Sequence, residues 1–415
     1  MLLKYKPQRT LKGKLYISFT EFLGWITKPV YKNSWRSDVL MKTAEKNTKL
    51  SDWGDKSFLN PLNILLESFE EEFNNKYFIS KAAFYKNILR LLENRLYIQD
   101  ELNQYPETKN LEIKKPLFIV SLPRTGTTLL HNLLCQDPNN RGLYIGECLR
   151  PCPPLNKKNK KIDMQKKAAI EYKEYIELFA TDITFKHPVE TTGFEECFFL
   201  MENSFTCMSF LLTNSLKEYD LWLKNSEFQV SLYRYYKQIL QILLRRNKCD
   251  RWVLKSPVHL DYLDALLEVF PDACILQIHR DLVSVLPSFI SLIMSLRGIF
   301  DKNLDIKSLR DDVLLWIDKF IDLNLKIRRN SNKGNFFDLK YSDLLKDPIQ
   351  TVKIIYDYFG YEYSLQFEEK MHKWLQDHPK DKHGIHSYSL EDFDLDEEQI
   401  VNRYKLYYEQ FIFNK

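Results

Sequence analysis

Glycine is scarce in this sequence, with 11 residues in 415, and the glycine-dependent nucleotide motif G-x-x-x-x-G-K-[ST] is absent, since Gly13-Lys14 runs into Leu15. No lysine is therefore carried to terminal phosphates, and no Ser or Thr to magnesium, in the manner of a P-loop kinase. An excess of either charge is also missing. Sixty basic against 56 acidic residues leave a formal charge of +4, which gives no overall pull towards nucleic acid. The seven cysteines are odd in number and include no C-x-x-C pair, so neither a disulfide framework nor a zinc ribbon is indicated and a reducing, cytoplasmic setting is expected. No apolar run reaches the roughly 18 residues that span a bilayer, and the opening Met-Leu-Leu-Lys-Tyr-Lys does not develop into a signal peptide. Internal repeats and low-complexity tracts are lacking too. What remains is an ordinary globular composition, 44% hydrophobic and 28% charged, in a chain long enough for one large elaborated α/β domain.

Residues 1–110 carry apolar residues at helical spacing, as in 57–69 and 79–96, with few strand signals, and predict a helical N-terminal region. The pattern changes at Pro116. Leu117-Phe118-Ile119-Val120 is a short β-like run that enters Ser-Leu-Pro-Arg-Thr-Gly-Thr-Thr, after which Leu129, Leu130, Leu133 and Leu134 mark one side of a helix from about Thr127. Trp252-Val253-Leu254 leading into Lys255-Ser256-Pro257 begins a second strand–helix unit. The run 273–278, followed by Arg280 and the helix carrying Val285, Phe289 and Leu292, makes a third. Such alternation predicts an α/β fold of three layers, a parallel sheet flanked by helices, over 111–415. A helical insertion is expected at about 160–248, where Phe228, Leu232, Tyr235, Ile239 and Leu243 keep a helical rhythm. Phe336-Phe337-Asp338-Leu339 reads as a further strand.

Pro123-Arg124-Thr125-Gly126-Thr127-Thr128 lies where a buried strand hands over to a helix N-terminus, a place where backbone N–H groups and the helix dipole favour an anion. Gly126 permits close backbone approach, the hydroxyls of Thr127 and Thr128 are donors, and Arg124 offers a bidentate fork. The same hexapeptide is also compatible with a plain turn ending in an N-cap threonine.

Leu122–Leu134 together with 254–288 resembles the PAPS-dependent sulfotransferases, particularly the bacterial type with P-R-[ST]-G-T-T-L-L-H-x-L-L, and more distantly the protein-tyrosine sulfotransferases. Asp343-Leu344-Leu345-x-Asp347-Pro348 and the tail from His386 to Phe393 extend the likeness. The resemblance implies a P-loop-like fold and an enzyme that moves the sulfuryl group of 3′-phosphoadenosine-5′-phosphosulfate (PAPS) to a hydroxyl or amine, without metal, leaving PAP. The acceptor it implies is a small molecule or peptide. In that family the loop 123–128 binds the 5′-phosphosulfate, and Arg280 and Ser288 hold the 3′-phosphate. By the same likeness Tyr341 contacts the adenine or a phosphate, and Lys382 and Gly384 belong to a basic loop over the 3′-phosphate. Leu282 departs from the Pro or Gly that many members carry there. A P-loop-like nucleotide kinase, and a non-catalytic module that binds PAP without turnover, are the alternative readings.

Transfer needs cations where charge develops and a base for the acceptor proton. Arg124 and Lys255 are the expected cations, Lys255 by its likeness to the lysine of the tyrosine-sulfating relatives. Glu147, 23 residues after Arg124, resembles their glutamate and is the first expectation for the base. His187 and His259 compete with it, because imidazole titrates near working pH. Glu195-Glu196 reads as the acidic first turn of a helix that lines the pocket.

Overall fold

The computed structural model describes residues 9–31, 35–154, 164–186, 189–330, 333–379 and 388–413. Five strands form one parallel sheet: β1 (Leu117–Ile119), β2 (Asn140–Arg141), β3 (Arg251–Lys255), β4 (Cys274–His279) and β5 (Phe336–Lys340), in the spatial order β2-β3-β1-β4-β5. Side chains alternate across a strand, and in the central β1 this separates two cores. Leu117 and Ile119 pack with Leu130, Leu133, Val253, Leu276 and Ile355 on one face. Phe118 and Val120 join Trp252, Leu254 and Ile275 on the other. Helices cover both faces, which gives the three layers that the strand–helix alternation predicts.

The order of the strands positions the site. From β1 the chain moves to one side of the sheet, to β2 and β3, and then crosses to β4 and β5 on the other side. The carboxyl ends of β1 and β4 therefore flank a switch point, where open α/β sheets form a ligand crevice. Arg124 follows β1 and Arg280 follows β4. The helix after β4 (Leu282–Phe300) starts at Leu282 because Asp281 accepts the Val283 N–H at 3.0 Å, a side-chain cap that needs no Pro or Gly at that position.

Before the sheet, the helices Leu11–Tyr31, Ser37–Thr48, Leu59–Glu71 and Phe78–Gln104 bear out the expected helical N-terminal region. Buried Trp35, Phe69 and Phe84 stack in it, the two Phe ring centres 3.7 Å apart and their planes nearly parallel. These rings belong to the same hydrophobic cluster as the Phe118 face of the sheet. The expected insertion lies between β2 and β3 and contains the helices Met164–Phe179, Thr181–Lys186 and Gln229–Arg246. Among the described residues, Leu282–Phe300 is the one helix long and apolar enough to cross a membrane, and 72% of it is buried inside the protein.

Candidate active site

The loop after β1 contains two left-handed residues, Arg124 (φ 67°) and Gly126 (φ 85°). At Gly126 only glycine fits, because a Cβ would lie 2.8 Å from the Tyr341 ring in addition to adopting a conformation that side chains avoid. Arg124 takes the same region with a full side chain, a strained arrangement that clusters at functional sites. Thr125, expected as part of the phosphate-binding loop, gives its hydroxyl to the Leu122 carbonyl at 2.7 Å and is buried. It therefore holds the shape of the loop, and any anion is met by the backbone and by its neighbours. Thr127 and Thr128 open the helix Thr127–Leu134, as predicted.

Arg124, Gly126, Arg280, Ser288 and Tyr341, scattered over more than 200 residues of sequence, converge. Arg124 Nε donates to Ser288 Oγ at 3.0 Å and its Nη1 to the Lys186 carbonyl at 2.7 Å. Arg280 Nη1 donates to the Arg124 carbonyl at 2.7 Å, and its guanidinium lies 4.3 Å from the centre of the Tyr341 ring. Burial, and then the nearby Arg280 cation, hold the Arg124 pKa below its ordinary value. Among the described residues no carboxylate comes within ion-pair distance of either guanidinium. Two adjacent, partly buried cations with no carboxylate partner among the described residues give this crevice a local surplus of positive charge. A cleft of about 360 Å³ opens beside them, lined by Arg280, Ser284, Ser288 and Tyr388.

Lys255 ends β3 directly alongside β1, in register with Ile119. Its ammonium is 2% exposed and lies 2.7 Å from Oε1 of Glu196. Glu196 and Glu195 stand with Pro123 and Pro257 at a narrow apolar pocket of about 110 Å³, walled by Ile183, Met208, Phe289 and Leu292 among others. Tyr172, Phe198, Phe199, Leu212 and Leu296 are shared with a larger apolar cavity of about 610 Å³ that reaches Phe84 of the N-terminal helices. The sequence reading of Glu195-Glu196 has them line the pocket, as they do, but misses the pairing with Lys255. Both precede the helix Phe198–Met201, and the lysine that pairs with Glu196 is 59 residues away.

The geometry removes His259 from the candidates for the base and gives Glu147 a second task in the fold. Glu147 does not end a strand. It sits in the first turn of the helix Ile145–Leu149, where it caps the Tyr144 N–H at 3.3 Å and pairs with Arg141. Burial raises its pKa and Arg141 opposes the rise. It follows β2, two strands from β1 and so about 10 Å across the sheet from the loop's parent strand. His259 is fully buried, with Nε2 2.9 Å from Cys197 Sγ and Nδ1 2.5 Å from the Tyr233 hydroxyl. Burial pushes its pKa down to about 3, and with both nitrogens engaged in the core it presents none to an acceptor. His187, Lys382 and Gly384 lie outside the described residues.

Known proteins resemble the chain over most of its length. A model described as "Sulfotransferase family" matches residues 116–364. A curated relative from Mycobacterium tuberculosis, omega-hydroxy-beta-dihydromenaquinone-9 sulfotransferase Stf3, is 27% identical over 311 residues, which cover 70% of this chain and 74% of that one. Among solved structures, sulfotransferase STF9 from Mycobacterium avium superposes with a TM-score of 0.82 at 25% identity, covering 92% of this chain and 98% of its own. Sulfotransferase STF1 from Mycobacterium tuberculosis H37Rv gives 0.75 at 26% identity, covering 89% and 98%.

Proposed function

We propose roles for the site residues from one premise: the chain belongs to the sulfotransferase family, and it is an enzyme that transfers a sulfuryl group from PAPS to a hydroxyl or amine. Bound PAPS supplies the activated sulfuryl group, whose departure leaves negative charge on the phosphate oxygen of PAP. The unpaired cations Arg124 and Arg280 fit a donor with phosphates at both ends, and Gly126 lets the backbone come close to one of them. Ser288 and Tyr341 complete that grip, with the N–H groups that open the helix at Thr127 and Thr128. Lys255 faces the developing charge from the end of β3.

The single observation that carries the mechanism is the Lys255–Glu196 pair at 2.7 Å, beside the phosphate loop and at the apolar pocket. Lys255 orients the carboxylate through Oε1. Among the described residues Oε2 of Glu196 has no hydrogen-bond partner, so it is left to take the acceptor's proton as the new S–O bond forms and the bond from sulfur to the phosphate oxygen breaks. The pocket's apolar walls favour a small molecule whose hydroxyl is attached to an apolar body. Stf3, named for a hydroxylated menaquinone, is consistent with that class. Seven free thiols support work in the reducing cytoplasm.

The test is PAP release from labelled PAPS with dodecanol as the probe acceptor, alongside calorimetric PAP titration. Glu196→Gln is expected to bind PAP normally and to transfer roughly 100- to 10,000-fold more slowly, the usual loss for a missing general base. A wild-type rate in that variant removes Glu196 from the role. An enzyme that binds PAP and moves no sulfuryl group to any hydroxyl probe removes the acceptor class.

A further inference from the structure

Over residues 11–21 the helix Leu11–Tyr31 has two opposite faces of unusual character. Its inner face is fixed by Gly13, where a Cβ would stand 2.3 Å from the Leu178 carbonyl, and by buried Ile17 and Thr20. Glu21 anchors it further, accepting the Phe78 N–H and pairing with Lys302 at 2.8 Å. These contacts leave the helix no freedom to roll. Its outward face is therefore a fixed property of the fold, and it is apolar: Leu11, Leu15 and Phe19, spaced one helical turn apart, are 75%, 65% and 59% exposed. At 100° per residue Lys12 and Lys14 fall on the two flanks of this stripe, and both are exposed. The sequence from residue 4 to 14 has five basic residues (Lys4, Lys6, Arg9, Lys12 and Lys14), and the first acidic residue of the chain is Glu21.

An apolar stripe facing water is costly, and when lysines border it on both sides it matches the boundary between lipid headgroups and acyl chains, where the apolar residues sink and the ammonium groups stay with phosphate. We infer that the helix Leu11–Tyr31 docks the enzyme, lying in plane, on an anionic lipid bilayer. Its position relative to the acceptor cavity gives this docking a purpose. Tyr16 stacks near Phe179, Phe179 packs on Tyr175, and Tyr175 lines the 610 Å³ cavity. The docking helix is thus joined through Tyr16, Phe179 and Tyr175 to the cavity whose lining is shared with the pocket at Glu196. An enzyme held there meets apolar alcohols where they are concentrated. The docking claim itself needs neither PAPS nor the roles proposed for the catalytic residues.

Sedimentation with vesicles tests it, using phosphatidylcholine alone and equal parts phosphatidylcholine and phosphatidylglycerol. The wild type is expected to bind the anionic vesicles, with affinity falling as salt is raised. The triple variant Leu11→Ser, Leu15→Ser, Phe19→Ser is expected to bind roughly a hundredfold more weakly, as follows when three large apolar side chains no longer leave water. Lys12→Glu with Lys14→Glu should lose at least about fivefold per lysine. PAP titration reports whether each variant is folded. If the triple variant is not, the charge reversal, which alters exposed groups alone, carries the test. Three results overturn the inference: no binding of the wild type to anionic vesicles, equal binding by the variants, or a wild-type dimer that the apolar variant converts to monomer without any vesicle binding. The last would mean that the stripe is covered by a second copy of the chain.

Discussion

Arg280→Ala separates a residue that grips an anion from one that merely braces a loop. The side chain makes two intramolecular contacts, the 2.7 Å hydrogen bond to the Arg124 carbonyl and the face of the Tyr341 ring. Losing them costs about 1.5 kcal/mol for a charge-assisted hydrogen bond and about 0.5–1 kcal/mol for the ring contact. Against this, the substitution relieves Arg124 of a neighbouring like charge and leaves no carboxylate unpaired, so net stability should fall by no more than about 1–2 kcal/mol. The loss in PAP affinity has no such offset. One hydrogen-bonded charge pair with phosphate is worth about 1.5–3 kcal/mol, which at about 1.4 kcal/mol per decade weakens binding roughly 10- to 150-fold. Calorimetric titration with PAP and denaturant unfolding on the same preparation measure both quantities. If PAP affinity stays within about twofold of wild type, or if it falls only as far as the unfolded fraction accounts for, the two-cation reading of the crevice is wrong.

Glu147→Ala should leave the partly buried Arg141 without its partner and lower stability by about 3 kcal/mol, while the transfer rate per folded molecule stays at the wild-type value. A large fall in that rate, measured at saturating PAPS, would return Glu147 to the chemistry. His259 supplies a pH prediction. Its folded pKa, about 3, lies below the ordinary 6.5, so the unfolded chain binds the proton first; the stability is complete above pH 6.5 and is lost as the pH falls towards 3, by about 1.4 kcal/mol per unit for this one group. Urea unfolding from pH 7 to 4 should give a shallower slope in His259→Asn than in the wild type. Parallel slopes would contradict the buried neutral imidazole.

Local patterns made much of the site legible. The strand, turn and helix of 117–134 are contiguous, so periodicity and one glycine suffice to place the loop and its helix N-terminus there, whereas the pairing of that loop with Arg280 comes from the family resemblance. The remainder depended on which strands become neighbours. Glu196 meets Lys255 only because β3 pairs with β1 and a segment of the insertion returns to its end, and nothing within a few residues of either carries that information. For Glu147 the spacing from Arg124 is plain in the sequence, but not that β2 is two residues long at the sheet edge, nor that the carboxylate turns back onto Arg141. For His259 the neighbouring Lys-Ser-Pro suggests a crevice, but its partners Tyr233 and Cys197 come from the insertion and enclose it. Thr125 enters with the loop as a whole, and its hydroxyl is used three residues back along that loop.

Position 124 is where durability and chemistry make opposite demands. At φ 67° any side chain beyond glycine costs about 1–2 kcal/mol, so the fold bears that expense permanently, whereas in the role proposed above the guanidinium acts only while a nucleotide occupies the crevice. Selection for a hardier protein alone would erode the arginine. On that reading the arginine is kept for what it binds, to the detriment of the loop that carries it.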